Sequence, residues 1–171
     1  GYRLHKSPVE ATMAEAKGVL VIGEIAGGAL SSTSQELLAA GRKIADDLGE
    51  ELAIGLLGAS VEGAAPEAIS HGADKVYTVT NPLLAEYHVD HYLSAIEALC
   101  KESSPNIVLI GRTNEGRDLA PRLAFRLGVG LAQDCLEVSV DVSAKKLLAN
   151  RPVYGGNAVA VISCDYTPQI A

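Results

Sequence analysis

Two short stretches of this chain gather the side chains best suited to binding chemistry. The first is Gly111-Arg112-Thr113-Asn114-Glu115-Gly116-Arg117-Asp118-Leu119-Ala120-Pro121-Arg122. Asp118 is placed to cap a helix starting at Leu119, with Pro121 in its first turn, where a missing N–H costs nothing. A helix N-terminus beside Arg112 and Arg117 suits an anion such as a phosphate. Leu119, Ala120, Leu123, Ala124 and Leu127 then form the buried face, flanked by Arg122 and Arg126 one turn apart. The same arginines could equally pair with acidic residues of this chain or of a partner, and both readings stay open.

The second stretch is Asn150-Arg151-Pro152-Val153-Tyr154-Gly155-Gly156-Asn157-Ala158. Proline within a strand belongs at an edge or a bulge. Gly155-Gly156 allows close approach of another backbone or a flat ring, and Asn157 can brace such a loop through backbone hydrogen bonds. Arg151 is a permanent cation with a planar head, suited to a ring carbonyl or an anion. The plainer alternative is an ordinary hairpin whose arginine joins a surface ion pair.

Other candidates carry less. His88 and His91 have the spacing of two metal ligands on one helix face, but no third cluster accompanies them, so a solvated helix start and no metal are expected. The glycines of 23–28 and 55–60 lack the spacing of a dinucleotide fingerprint and the lysine of a P-loop. No Ser/His/Asp or Cys/His set and no acid pair reads as catalytic. Glu24, at the end of a predicted strand, has no partner among its neighbours. Cys100, Cys135 and Cys164 are odd in number, without Cys-x-x-Cys spacing, and are expected to be buried free thiols.

The elements that must position these residues follow from composition and pattern. A length of 171 residues fits one domain, and 48% hydrophobic content can build a core. With aromatics at 4%, that core must be Val, Ile, Leu and Ala, as in a sheet covered by helices on both faces. A net charge of -7 argues against nucleic acid, which needs a basic surface. No apolar run approaches the ~20 residues that span a bilayer; the cytoplasm is the preferred location, with the mitochondrial matrix as the other possibility.

Residues 1–17 are polar and unpatterned and read as a flexible extension, tag or linker; the domain proper is 18–171. Gly18-Val19-Leu20-Val21-Ile22-Gly23-Glu24 predicts a buried strand. After the turn at Gly27-Gly28, Thr33 and Glu36 read as a capping box for a helix ending at Gly49. Strands are expected at 51–57, 75–80 and 106–111, with helices at 66–71 and 89–101. Strand and helix alternate four times, the pattern of a Rossmann-like α/β fold with a doubly wound, mostly parallel sheet. Segments 131–142, 146–154 and 157–165 then read as three antiparallel strands, a C-terminal extension turning at 142–145 and at Gly155-Gly156.

Three stretches carry a family resemblance: Gly72-Ala73-Asp74-Lys75-Val76; the 116–122 run with 130–134 after it; and 151–157 with Pro168-Gln169-Ile170-Ala171. Together they resemble the first domain of the electron-transfer flavoprotein alpha subunit, over 18–171. The resemblance implies a nucleotide-hydrolase-like domain, mostly scaffold, that holds no nucleotide in its own fold and is no enzyme by itself. It implies pairing with a beta subunit and a C-terminal FAD-binding domain outside this chain. The assembly would carry electrons from a dehydrogenase to a membrane or soluble acceptor. In bifurcating members a second FAD sits in the beta subunit with its ring reaching toward this domain. Arg151 is then expected near that ring, with Tyr154, Gly155, Gly156 and Asn157 completing the motif; Arg117 and Arg122 are weaker candidates. No FAD is expected to bind tightly to this domain alone. Two other functions fit the fold: a free-standing ATP- or AMP-binding domain using 112–117, and a pure subunit-assembly module.

Overall fold

The structure, a computed structural model, describes residues 15–171. Most of the expected extension at 1–17 lies outside the described residues; the Lys17 N–H already bonds Ser104 O. The first strand, β1 (Val19–Gly23), is buried along its whole length. A two-strand ribbon follows, β2 (Ile25–Ala26) and β3 (Ala29–Leu30), turning at Gly27-Gly28. Then come α1 (Ser32–Leu48), β4 (Leu52–Gly58), α2 (Ala65–Ser70), β5 (Lys75–Thr80), α3 (Val89–Ser103), β6 (Ile107–Ile110) and α4 (Asn114–Leu127). The C-terminal part holds β7 (Glu137–Asp141), β8 (Lys146–Val153), β9 (Ala158–Ile162) and β10 (Gln169–Ile170).

The main sheet has the order β10-β6-β1-β4-β5, and every neighbouring pair is parallel. Helices cover both faces. On one, Leu38, Ile44 and Ala45 of α1 and Ala68 of α2 meet Val19, Val21, Ile54 and Leu109. On the other, Leu93, Ile96 and Leu99 of α3 and Leu119 and Leu123 of α4 meet Leu20, Ile22 and Val108. This is the expected doubly wound α/β fold, with apolar strands because both faces are buried. Strands β7, β8 and β9 form the expected antiparallel extension. Its inner face packs Val138, Val140 and Leu147 onto the α1 side of the core. The Asp74 carboxylate of the Gly72–Val76 stretch accepts from Leu52 N and Arg42 Nη1 at 2.8 and 2.7 Å, tying β5 to β4 and α1.

Boundaries differ from expectation in four places; one is the expected strand 157–165, which shortens to Ala158–Ile162. Helix α1 is capped by Ser31, whose hydroxyl accepts from Ser34 N, rather than by the pair Thr33 and Glu36. Ser34 is buried and bonds both Glu24 N and Glu24 O, which pulls the helix start toward the end of β1. Helix α4 starts at Asn114 with Thr113 as its cap, so Asp118 caps nothing and Pro121 lies inside the helix. Pro121 is exposed, so the carbonyl one turn before it, left without an amide partner, faces water. The expected strand 131–142 shrinks to Glu137–Asp141, because Leu131 instead bridges Ile170, and β10 joins the main sheet at its edge.

Candidate functional site

In a doubly wound sheet the ligand crevice lies at the carboxyl ends of the strands where the order reverses. Here that place is between β1 and β6. The chain places its own side chains across it. Thr113 Oγ1 donates to Glu24 Oε1 at 2.5 Å and accepts from Gly116 N at 3.0 Å. Gly116 packs so closely that a Cβ there would overlap the Gly111 carbonyl oxygen, and a Cβ on Gly111 would reach Thr33 Cγ2 at 2.6 Å. Glu115, in the first turn of α4, has its carboxyl held above the usual range, first by burial and then by the charge of Glu24. Two carboxylates thus stand where the helix N-terminus suited a phosphate.

The arginines of this stretch mostly take acids of the same chain. Arg112 pairs with Asp134, Arg122 with Asp118 at 3.0 Å, and Arg126 with Glu97 at 3.1 Å. Asp118 is held below the usual carboxylate range by the Tyr87 hydroxyl, which donates to it at 2.9 Å, and then by Arg122. Arg117 has no ion pair among the described residues. It lines a cleft of about 210 Å³ with Gly111, Gly116, Ala120 and Asp134.

The second stretch is the tip between β8 and β9. Tyr154, Gly155 and Gly156 have φ of 50°, 65° and 92°, three successive left-handed residues. Both Asn157 N and Asn157 Nδ2 donate to Tyr154 O, at 3.3 and 3.0 Å, the brace expected of that side chain. Tyr154 is 84% exposed. Pro152 lies past the point where Glu137 of β7 pairs with Asn150, so no strand needs its missing N–H on that side. Arg151 stands opposite Ala160 on the inward-facing row and has no ion pair among the described residues, unlike the surface pair that was the alternative.

A short loop joins the two stretches, and nothing in the residue spacing announced it. Asp134, itself left-handed at φ 58°, holds Arg112. Cys135 beside it has its thiol raised by burial and lowered by nearby Arg151. The Thr113–Glu24 bond, across 89 positions, was equally invisible; the only signal was a carboxylate at a strand end.

A model of the electron transfer flavoprotein domain matches residues 19–171. The chain belongs to that family. It is 46% identical over 159 residues to the electron transfer flavoprotein subunit alpha of Clostridium acetobutylicum, covering 92% of this chain and 47% of that protein. The corresponding subunit of Megasphaera elsdenii is 43% identical, with the same coverage. The acryloyl-CoA reductase electron transfer subunit beta of Anaerotignum propionicum is 36% identical, covering 80% of this chain and 43% of that protein. The chain spans about half the length of the curated relatives it matches.

For this electron transfer flavoprotein domain the remaining candidates resolve simply. All three cysteines are free, but only Cys100 is buried, its thiol pushed up to about 12 by burial; Cys135 and Cys164 are half-buried, correcting the expectation of three buried thiols. They sit in the loops that join the antiparallel sheet to the body, where packing is thinner. His88 and His91 stack at 4.6 Å at the start of α3, and no group of three metal-ligating residues forms among the described residues. No helix of the described residues is long and apolar enough to cross a membrane.

Proposed function

We propose that this chain is the first domain of an electron-transfer flavoprotein alpha subunit, a scaffold that pairs with a beta subunit in a cytoplasmic heterodimer. In that assembly FAD, held mainly by the remainder of the alpha subunit, carries electrons from a dehydrogenase to a membrane or soluble acceptor. The domain itself performs no catalysis. The observation that carries this reading is the family match along 19–171 to electron transfer subunits. The Thr113–Glu24 bond across the crevice and the raised Glu115 carboxyl beside it weigh in the same direction, since a free-standing ATP or AMP domain would place phosphate there.

Within this scaffold the β8–β9 tip is the part that faces a flavin ring carried by the beta subunit. Support comes from the left-handed Tyr154-Gly155-Gly156 turn, which leaves the backbone open to a flat ring, and from Arg151, a cation without an ion pair among the described residues. A fixed cation near the ring's N1, N5 or carbonyls favours the anionic reduced flavin and raises its potential. Arg117 and Arg122 contribute less, Arg122 being held by Asp118. The test is Arg151→Ala in the complete heterodimer, read by flavin spectra and reduction potentials. A lowered potential or weakened flavin binding is expected. Unchanged spectra and potentials would leave only the assembly role.

A further inference from the structure

Three polar residues are fully enclosed among the described residues, Ser34, Asn106 and Gln169, and two of them meet. Gln169, 3% exposed in β10, donates from Nε2 to Asn106 Oδ1 at 3.2 Å and to Lys145 O at 2.9 Å. Its Oε1 accepts from Leu147 N at 2.8 Å. Asn106, just ahead of β6, adds a bond from Nδ2 to Lys145 O at 3.3 Å. The main chains of these two residues are also joined, Gln169 N to Asn106 O at 2.8 Å. Two strands of the parallel sheet therefore grip the root of β8 through side-chain amides. The grip falls where β8 has lost its neighbour on the β9 side, because β9 ends at Ile162 opposite Ala149, while β7 still pairs there.

Apart from the Lys145–Glu50 ion pair at the β7–β8 turn, the packing between the two sheets runs through the apolar side chains Val138, Val140 and Leu147. Apolar contact is non-directional and fixes distance better than register. A fully satisfied buried amide pair is directional and specifies one arrangement. An aliphatic side chain at 169 would fill the volume yet strand the Leu147 N–H and the Asn106 Oδ1, and would free the antiparallel sheet to shift on α1.

We propose that Gln169, seconded by Asn106, is a positioning residue: it sets where the β8–β9 hairpin places Arg151 and the Tyr154–Asn157 loop. This rests on the reading that the hairpin tip faces a flavin. The two fail differently. In the full-length subunit assembled with its beta partner, Gln169→Leu, Arg151→Ala and the double variant are compared by flavin reduction potential, absorbance spectrum and thermal melting. Gln169→Leu is expected to move the same flavin potential in the same direction as Arg151→Ala, and the double variant to move it no further than Arg151→Ala alone, as for two residues acting through one contact. A lowered melting temperature with a wild-type potential would make Gln169 merely structural and overturn the inference while sparing the flavin reading. If Arg151→Ala leaves every potential unchanged, the flavin reading fails and the inference with it. Should Gln169→Leu not assemble, Gln169→Glu carries the same comparison: it keeps an acceptor for Leu147 N–H but loses both donors, and a wild-type potential there is equally fatal.

Discussion

Tyr154 holds a left-handed backbone, φ 50°, at the exposed tip of a hairpin. For a residue with a Cβ this costs about 1–2 kcal/mol, and a residue 84% exposed recovers little of it by packing. Strain of that kind persists where a side chain serves something outside its own fold. Tyr154→Val should lower stability in urea unfolding by about 1–2 kcal/mol, because β-branched residues tolerate this region worst. Tyr154→Asn should instead raise stability by about 1 kcal/mol, asparagine being at home there and relieving the strain. Equal losses would mean the tip relaxes and stores no strain. Glu115 offers a second test at this scale. Burial and Glu24 raise its carboxyl in the folded state, outweighing the favourable dipole of its helix turn. A raised folded value means the group favours folding only while protonated; that benefit is lost as pH rises through the folded value. Glu115→Gln should therefore raise the melting temperature at pH 7 by about 2 °C, with the gain fading near pH 4. A gain equal at both pH values would point to packing rather than charge.

Among the elements, α4 shows what a sequence can and cannot specify. Its buried face, Leu119, Ala120, Leu123 and Ala124, and its end at Gly128 are written in apolar spacing and a terminal glycine. Its start is not, because Thr113 and Asp118 both have capping side chains. The choice is tertiary: Thr113 is the one that leaves β6 facing Glu24. The same holds for β10, whose two residues have no period of their own and become a strand only through register with Ile107 and Val108. The backbone of the hairpin tip was legible for the opposite reason, since glycines, a proline and an asparagine state backbone requirements locally. At Gly116 the tertiary demand is sharpest. Alanine within a helix normally stabilises by about 1 kcal/mol over glycine. Here its Cβ would overlap the Gly111 carbonyl, so Gly116→Ala should instead cost about 3 kcal/mol by chemical denaturation, in the range of overpacked sites. A stabilised variant would mean the 111–116 loop moves aside freely, and the crevice would then not be closed by design.

At the scale of the whole molecule, an acidic body carries an unusually apolar edge. The net charge is -7, yet β9 reads Ala-Val-Ala-Val-Ile, with Val159 and Val161 64% and 63% exposed. Strand β9 pairs only with β8 among the described residues, leaving a row of backbone groups open on its other side. Uncharged, exposed edge strands recruit other strands, and natural chains blunt them with lysine, proline or a covering element. Like charge on the body opposes such pairing at a range set by the Debye length, ~8 Å at physiological salt and ~3 Å at 1 M. These two effects make opposite demands, and salt decides between them. The chain alone should sediment as a monomer at low ionic strength and self-associate as salt and concentration rise. Val161→Lys should suppress that association while leaving the melting temperature within about 1–2 °C, as expected of an exposed site. Association that weakens with salt would assign the contact to charged residues instead, and association untouched by Val161→Lys would move it away from β9.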